Sequence, residues 1–148
     1  MTPLDILALK IDSACDENNL SALQEALETI AKFKPELFSI EDQATLDFYI
    51  ANVYAGQRRA NKLHLSWNWV QPLLENEIYH LRSALSKIGT ISPEKLSTDL
   101  KFRITTNLAN ALNHTGRFIE AIELWNQTIS EHPKFSMAIG NRAQALYW

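Results

Sequence analysis

The sequence predicts an all-α chain built from antiparallel helix hairpins, and three observations carry that prediction. Apolar residues recur three and four apart along nearly the whole chain. Only four glycines and five prolines occur in 148 residues, and β-branched residues are scattered singly, which disfavours a sheet with many turns. A six-residue string in one of the helical segments returns 34 residues later with four positions identical.

The elements follow in order. Leu4, Leu7, Ala8, Ile11 and Ala14 mark a first amphipathic helix, which Asp16-Glu17-Asn18-Asn19 breaks with turn-forming residues. Leu20, Leu23, Leu27 and Ile30 mark a second, and Pro35 marks its exit, so the two form an αα-hairpin. Ser39, with Asp42 three residues on, reads as the cap of a third helix through Leu46, Tyr49, Ile50, Val53 and Tyr54, with Gly56 expected to end it. Residues 57–66 are polar and basic and read as a loop or a short extra helix. Pro72 fits the first turn of a helix carrying Leu73, Leu74, Ile78, Leu81, Ala84, Leu85 and Ile88, with Gly89 as its stop. Ser92-Pro93-Glu94 is expected to open the next, through Leu96, Leu100, Ile104, Leu108 and Leu112 to Gly116. Phe118 to Ile129 gives another, closed by Pro133, and Met137, Ile139, Ala143, Leu146 and Tyr147 begin one more.

Composition narrows the function classes. A net charge of -3 offers no general attraction for nucleic acid, and no segment approaches the ~18 apolar residues of a membrane span. Cys15 is the single cysteine and no secretory pattern opens the chain, so a cytoplasmic setting is expected. His80, His114 and His132 are too dispersed for a local metal motif, and no phosphate-binding glycine loop, Gly-x-Ser-x-Gly or His-Glu-x-x-His string is present. No cofactor, metal site or catalytic residue is therefore expected, and the chain does not read as an enzyme.

The repeat is the strongest signal. Asn107-Leu108-Ala109-Asn110-Ala111-Leu112 matches Asn141-Arg142-Ala143-Gln144-Ala145-Leu146 at an offset of 34. Small Ala109 and Ala121 permit two helices to approach closely, while Leu112 and Trp125 fill the space beside them. Gly116 stands where a turn needs a left-handed backbone. On these residues, from Phe102 to Pro133, the segment resembles the tetratricopeptide repeat: Leu108, Ala109, Gly116, Phe118, Ala121, Trp125 and Pro133 occupy its consensus places, with Thr128 replacing a usual alanine. The resemblance implies hairpins stacked as a short right-handed solenoid. Its units would run over 4–37, 40–89 with an insertion near 57–70, 93–135, and an incomplete unit 136–148, in a single domain expected to be cut from a longer protein. Ala51 falls at the small site of the second unit.

Trp67-Asn68-Trp69, Leu81-Arg82-Ser83-Ala84-Leu85 and Gly140-Asn141-Arg142-Ala143 also resemble the repeats that precede HEPN domains in certain bacterial proteins. That likeness implies a sensor or docking part of a larger protein, or the regulatory, RNA-contacting part of a HEPN-type ribonuclease in a toxin or anti-phage system.

Tetratricopeptide register turns one face of each first helix toward a concave groove. Arg103, Thr106, Asn107, Asn110, Asn113, His114, Asn141 and Gln144 are the residues it implies there, where amides would hydrogen-bond a peptide backbone and Arg103 a carboxylate. A protein or peptide partner in that groove is the first expectation. Arg58, Arg59, Lys62 and His64, followed by Trp67 and Trp69, interleave cations with aromatics and form a second candidate, a contact for single-stranded RNA. Self-association through the apolar final helix is a third.

Overall fold

The computed structural model of the protein describes residues 1–63 and 71–147. The described residues form seven α-helices and no strand: α1 (Pro3–Asp16), α2 (Leu20–Ala31), α3 (Ile40–Ala60), α4 (Pro72–Ile88), α5 (Thr98–His114), α6 (Phe118–Glu131) and α7 (Ser136–Tyr147).

Local chemistry sets most of the boundaries. Thr2 and Asp5 form a full capping box on α1: the Asp5 amide donates to Thr2 Oγ1 at 3.2 Å and the Thr2 amide to Asp5 Oδ2 at 2.7 Å. Asn19 Oδ1 caps α2 by accepting from the Ala22 amide, and Ser39 Oγ caps α3 by accepting from the Asp42 amide. The α1–α2 and α5–α6 turns close in the same way. In each, a left-handed residue follows the helix, Asn18 at φ 51° and Gly116 at φ 80°. The next amide then reaches back to an orphan carbonyl, Asn19 to Ala14 at 2.9 Å and Arg117 to Leu112 at 3.0 Å.

Two expected boundaries move. Gly56 does not end α3, which continues to Ala60. A Cβ at Gly56 would lie 2.6 Å from Cys15 Sγ and 3.3 Å from the Leu23 methyls, so glycine here allows α1 and α2 to approach α3. Ser92-Pro93 does not open α5: residues Pro93–Lys95 make a 3-10 turn, and α5 starts at Thr98. The Ser97 amide donates to Glu41 Oε1 at 3.1 Å, tying the start of α5 to the start of α3.

Each helix packs on the next, and α1 also meets α3 as α5 meets α7. Leu4, Leu7, Ile11, Leu23, Ala26 and Ile30 bury against Leu46 and Val53 in one apolar cluster. A second runs from Ala44, Phe48 and Ala51 through Leu81, Ala84, Ile104 and Leu112 to Trp125 and Ala138. Helix α3 serves both clusters, which is why its sequence shows no single apolar face. Ala109 and Ala121 are both fully buried where α5 packs on α6. Helix α7 turns Ala138 and Ala145 inward and leaves Met137, Ile139 and Leu146 at the surface, an arrangement its apolar sequence alone does not reveal. Among the described residues no helix is long and apolar enough to cross a membrane.

Two polar groups are buried where α3 meets α4. Asp47 accepts from Ser83 Oγ at 2.8 Å and from Lys87 Nζ, and its Oδ1 meets His80 Nδ1 at 2.9 Å. Those three partners share one face of α4 through their i, i+3, i+7 spacing. Arg58 and Glu77, each about 5% exposed at the side chain, form an ion pair at 2.9 Å.

Candidate functional site: a polar cleft along α1, α3 and α5

Helices α1, α3 and α5 are the first members of their hairpins, and a cleft of about 500 Å³ opens along them. Asp12, Cys15 and Asp16 come from α1, one helical turn apart and therefore on one side. Asn52, Gly56 and Arg59 come from α3, and Asn107, Asn110 and His114 from α5. The Arg58–Glu77 pair forms part of the lining. A smaller chamber of about 200 Å³ shares Asp12, Asn52 and Asn107 with it and adds Ile11, Tyr49, Arg103 and Met137.

The amides are arranged by one another. Asn107 Nδ2 donates to Asn52 Oδ1 at 3.3 Å across α3 and α5, which leaves the Asn52 amino group and the Asn107 carbonyl for a guest. Among the described residues, no ion pair engages Asp12, Asp16 or Arg59. The cleft therefore presents two carboxylates on one wall, a guanidinium on another and amides between them.

Burial pushes the Cys15 thiol up from its ordinary value; Arg59 pulls it down, and Asp12 and Asp16 add to the rise. The thiol donates weakly to the Asn52 carbonyl at 3.8 Å. A protonated thiol in this setting is a poor nucleophile. Burial also pushes Glu77 up, opposed by Arg58 and Arg59. Burial works to raise Asp47 too, but the hydrogen bonds from His80, Lys87 and Ser83 outweigh it and hold the carboxyl below its ordinary 3.8. Ser83 and His80 both bind Asp47 rather than each other, so the trio is a brace between α3 and α4 and not a nucleophile–base pair. Among the described residues no group of histidine, cysteine and carboxylate side chains is arranged to hold a metal ion.

The sequence-predicted residues divide. Asn107, Asn110 and His114 line the main chamber and Arg103 the smaller one, where it also pairs with Asp99 at 3.7 Å. Thr106 does not face a groove: it is fully buried, because its helix face packs into the core. Asn113 is half-buried with its Oδ1 enclosed and unpaired, outside both chambers. On α7, Asn141 is half-buried and Gln144 exposed, and both lie beyond the chambers, to which α7 contributes Met137.

The basic cluster does not hold together as one exposed patch. Arg58 points inward to Glu77 because α3 runs on past Gly56, which places residue 58 on the buried side. Arg59 is exposed and faces the cleft, and Lys62 is exposed just beyond the helix. His64, Trp67 and Trp69 lie outside the described residues.

The sequence reading passed over Asp12, Asp16 and Asn52. For Asn52 a signal existed: Ala51 and Ala109 were both expected at the small site, which makes Asn52 the counterpart of Asn110 in that register. Asp12 and Asp16 carried none, since the first helix matches the repeat poorly. Compared with protein families, with curated proteins and with solved structures, the chain matches none.

Proposed function

We propose that the chain is a protein-interaction module of tetratricopeptide-like build, and that its cleft holds an extended segment of a partner protein. The 34-residue internal match, the small residues at the α5–α6 packing, and the pairing of first helices α1 with α3 and α5 with α7 support the stacked-hairpin reading.

The observation that carries the function is the set of amides from α3 and α5 lining one cleft with Asp12 and Asp16 of α1, which no ion pair engages among the described residues. Amides read a peptide backbone through paired donor and acceptor, whatever its side chains. The two carboxylates select a lysine or arginine side chain on that segment. Ile11, Tyr49 and Met137 in the smaller chamber suit an apolar side chain beside it. Contact with RNA is the weaker reading: of its three described cations Arg58 is committed to Glu77, Arg59 shares its cleft with two carboxylates that repel phosphate, and Lys62 alone is left exposed beyond the helix.

An array of immobilised peptides of varied charge tests the proposal with the wild-type chain and the Asp12→Lys, Asp16→Lys variant. The wild type is expected to retain basic peptides with apolar neighbours, and the variant to lose them and gain acidic ones. Asn110→Ala should weaken a retained peptide about five-fold, the equivalent of one ordinary hydrogen bond. A retained set that is indifferent to the charge reversal overturns the assignment of the cleft.

A further inference from the structure

Three helices pass the cleft side by side, and their residues fall along it in the same order. Ile11, Tyr49 and Arg103 line the smaller chamber, Asp12, Asn52 and Asn107 belong to both chambers, and Asp16, Arg59 and His114 line the main one alone. Sequence number rises in that direction in every helix, so α1, α3 and α5 run parallel here. Two hydrogen bonds hold α3 and α5 in step, Ser97 to Glu41 near their starts and Asn107 to Asn52 further along. The cleft therefore has a direction and a scale. A helix rises about 1.5 Å per residue, so from the level of Asn52, Tyr49 stands about 4.5 Å to one side. On the other side the mid-point of Asp12 and Asp16 stands about 3 Å away, and Arg59 about 10 Å away.

The charged side chains along this line divide into paired and unpaired. Arg58 and Glu77 neutralise each other, and Arg103 pairs with Asp99 at 3.7 Å. Among the described residues Asp12, Asp16 and Arg59 have no ion pair, and residues 64–70 contain no carboxylate. Buried Ile11 and Phe48 give the smaller chamber an apolar floor. In order, the cleft offers an apolar hollow, a pair of negative charges and one positive charge.

We propose that the partner segment is read in a fixed order at alternate positions: an apolar side chain in the smaller chamber, a lysine or arginine against Asp12 and Asp16, and an aspartate or glutamate at Arg59. The motif rests on a cleft that holds an extended segment. Such a segment advances about 3.3 Å per residue and turns alternate side chains to one side, about 6.6 Å apart. The three subsites stand about 7 to 8 Å apart by the helix rise, within the reach of those side chains. Side chains between them point away from the cleft and are free to vary, while Asn52 and Asn107 hold the backbone. The acidic position matters because Arg59 lies close enough to Cys15 and Glu77 to act on both, so a lone cation stands at that end of the cleft.

Fluorescence anisotropy of the whole chain with labelled peptides of one composition tests the order. Each peptide is capped at both ends and carries leucine, lysine and glutamate at alternate places, with serine between them. The peptide with lysine in the middle should bind best in at least one of its two directions. With leucine or glutamate in the middle, binding should be about ten-fold weaker, because the apolar contact is lost or a carboxylate meets Asp12 and Asp16. Glutamine in place of the glutamate should weaken binding about three-fold, as expected of an exposed ion pair. In Arg59→Glu, an exposed position where circular dichroism should match the wild type, that difference should vanish, and lysine at the same place should bind better than glutamate. Binding that is the same for every order overturns the motif, as does a preference for glutamate that survives Arg59→Glu. In both cases the cleft remains a site for basic segments if the reversal of Asp12 and Asp16 still abolishes binding. If no peptide with lysine binds in any order, the cleft itself is misassigned and the motif falls with it.

Discussion

Removing Glu77 while keeping Arg58 should be among the most damaging single changes in the molecule. Both side chains are about 95% buried, and Arg58 donates from Nε at 3.2 Å and Nη2 at 2.9 Å to the same carboxylate oxygen, Glu77 Oε2. Glu77→Leu leaves a guanidinium enclosed without a counter-charge, at a cost of about 3–5 kcal/mol. A domain of this size is stable by only about 5–15 kcal/mol, so the loss is a large share of the total. In urea the midpoint should fall by about 1 M or more, given a slope of about 1–3 kcal/mol per molar. Arg58→Met together with Glu77→Leu removes both charges and fills the space. That double variant should regain most of the loss and unfold within about 1 kcal/mol of the wild type, because two desolvation costs disappear with the pair. A single variant that unfolds like the wild type would mean that Arg58 reaches water. A double variant no better than the single would mean that the pair is not the coupled unit described, and either result refutes the placement of residue 58 on the inner side of α3.

Other outcomes follow from the packing and the caps. Gly56→Ala should destabilise the chain by about 1–3 kcal/mol despite alanine's helix preference, since its Cβ would stand 2.6 Å from Cys15 Sγ; adding Cys15→Ala should restore part of the loss, as thermal unfolding of the two will show. Lys62→Gly should stabilise by about 1 kcal/mol, because Lys62 holds φ at 59° beyond the end of α3, and an unchanged melting temperature would contradict that geometry. Asp47→Asn should cost about 1.5–3 kcal/mol at neutral pH. The folded carboxyl titrates below its ordinary 3.8, so its contribution is complete above that pH and disappears as pH falls through the depressed value. The gap between wild type and variant in urea should therefore close in acid, and a gap that persists would show that the charge is not what matters. Burial pushes Glu77 up as well, so it too titrates in acid, and the acid series is cleanest with Arg58→Met and Glu77→Leu in both chains, which removes that titration without leaving Arg58 unpaired.

Much of the fold was legible because it depends on local rules. The helical spacing, Ser39 as cap, Pro72 in a first turn and Gly116 as a left-handed residue all express chemistry within one turn of chain. Gly56 was misread because glycine signals both a helix end and a close approach, and only the position of Cys15 decides between them. Arg58 was misread for a related reason: its partner lies 19 residues away on another helix, and a run of cations looks exposed until the helix phase is known. Asn107, Asn110, His114 and Arg103, expected on one face from the repeat resemblance, do line the chambers. The same register misplaced Thr106, whose side of α5 turns into the core, and it said nothing of the acidic wall of α1, whose sequence resembles the repeat poorly.

The cleft is best tested by nuclear magnetic resonance of the 15N-labelled chain titrated with a basic peptide retained on the array. The side-chain amide signals of Asn52, Asn107 and Asn110 should move together and saturably, with backbone shifts along α1, α3 and α5. Shifts confined to α2, α4 and α6, or amide signals that stay still while the peptide binds, would place recognition on another surface and contradict the account.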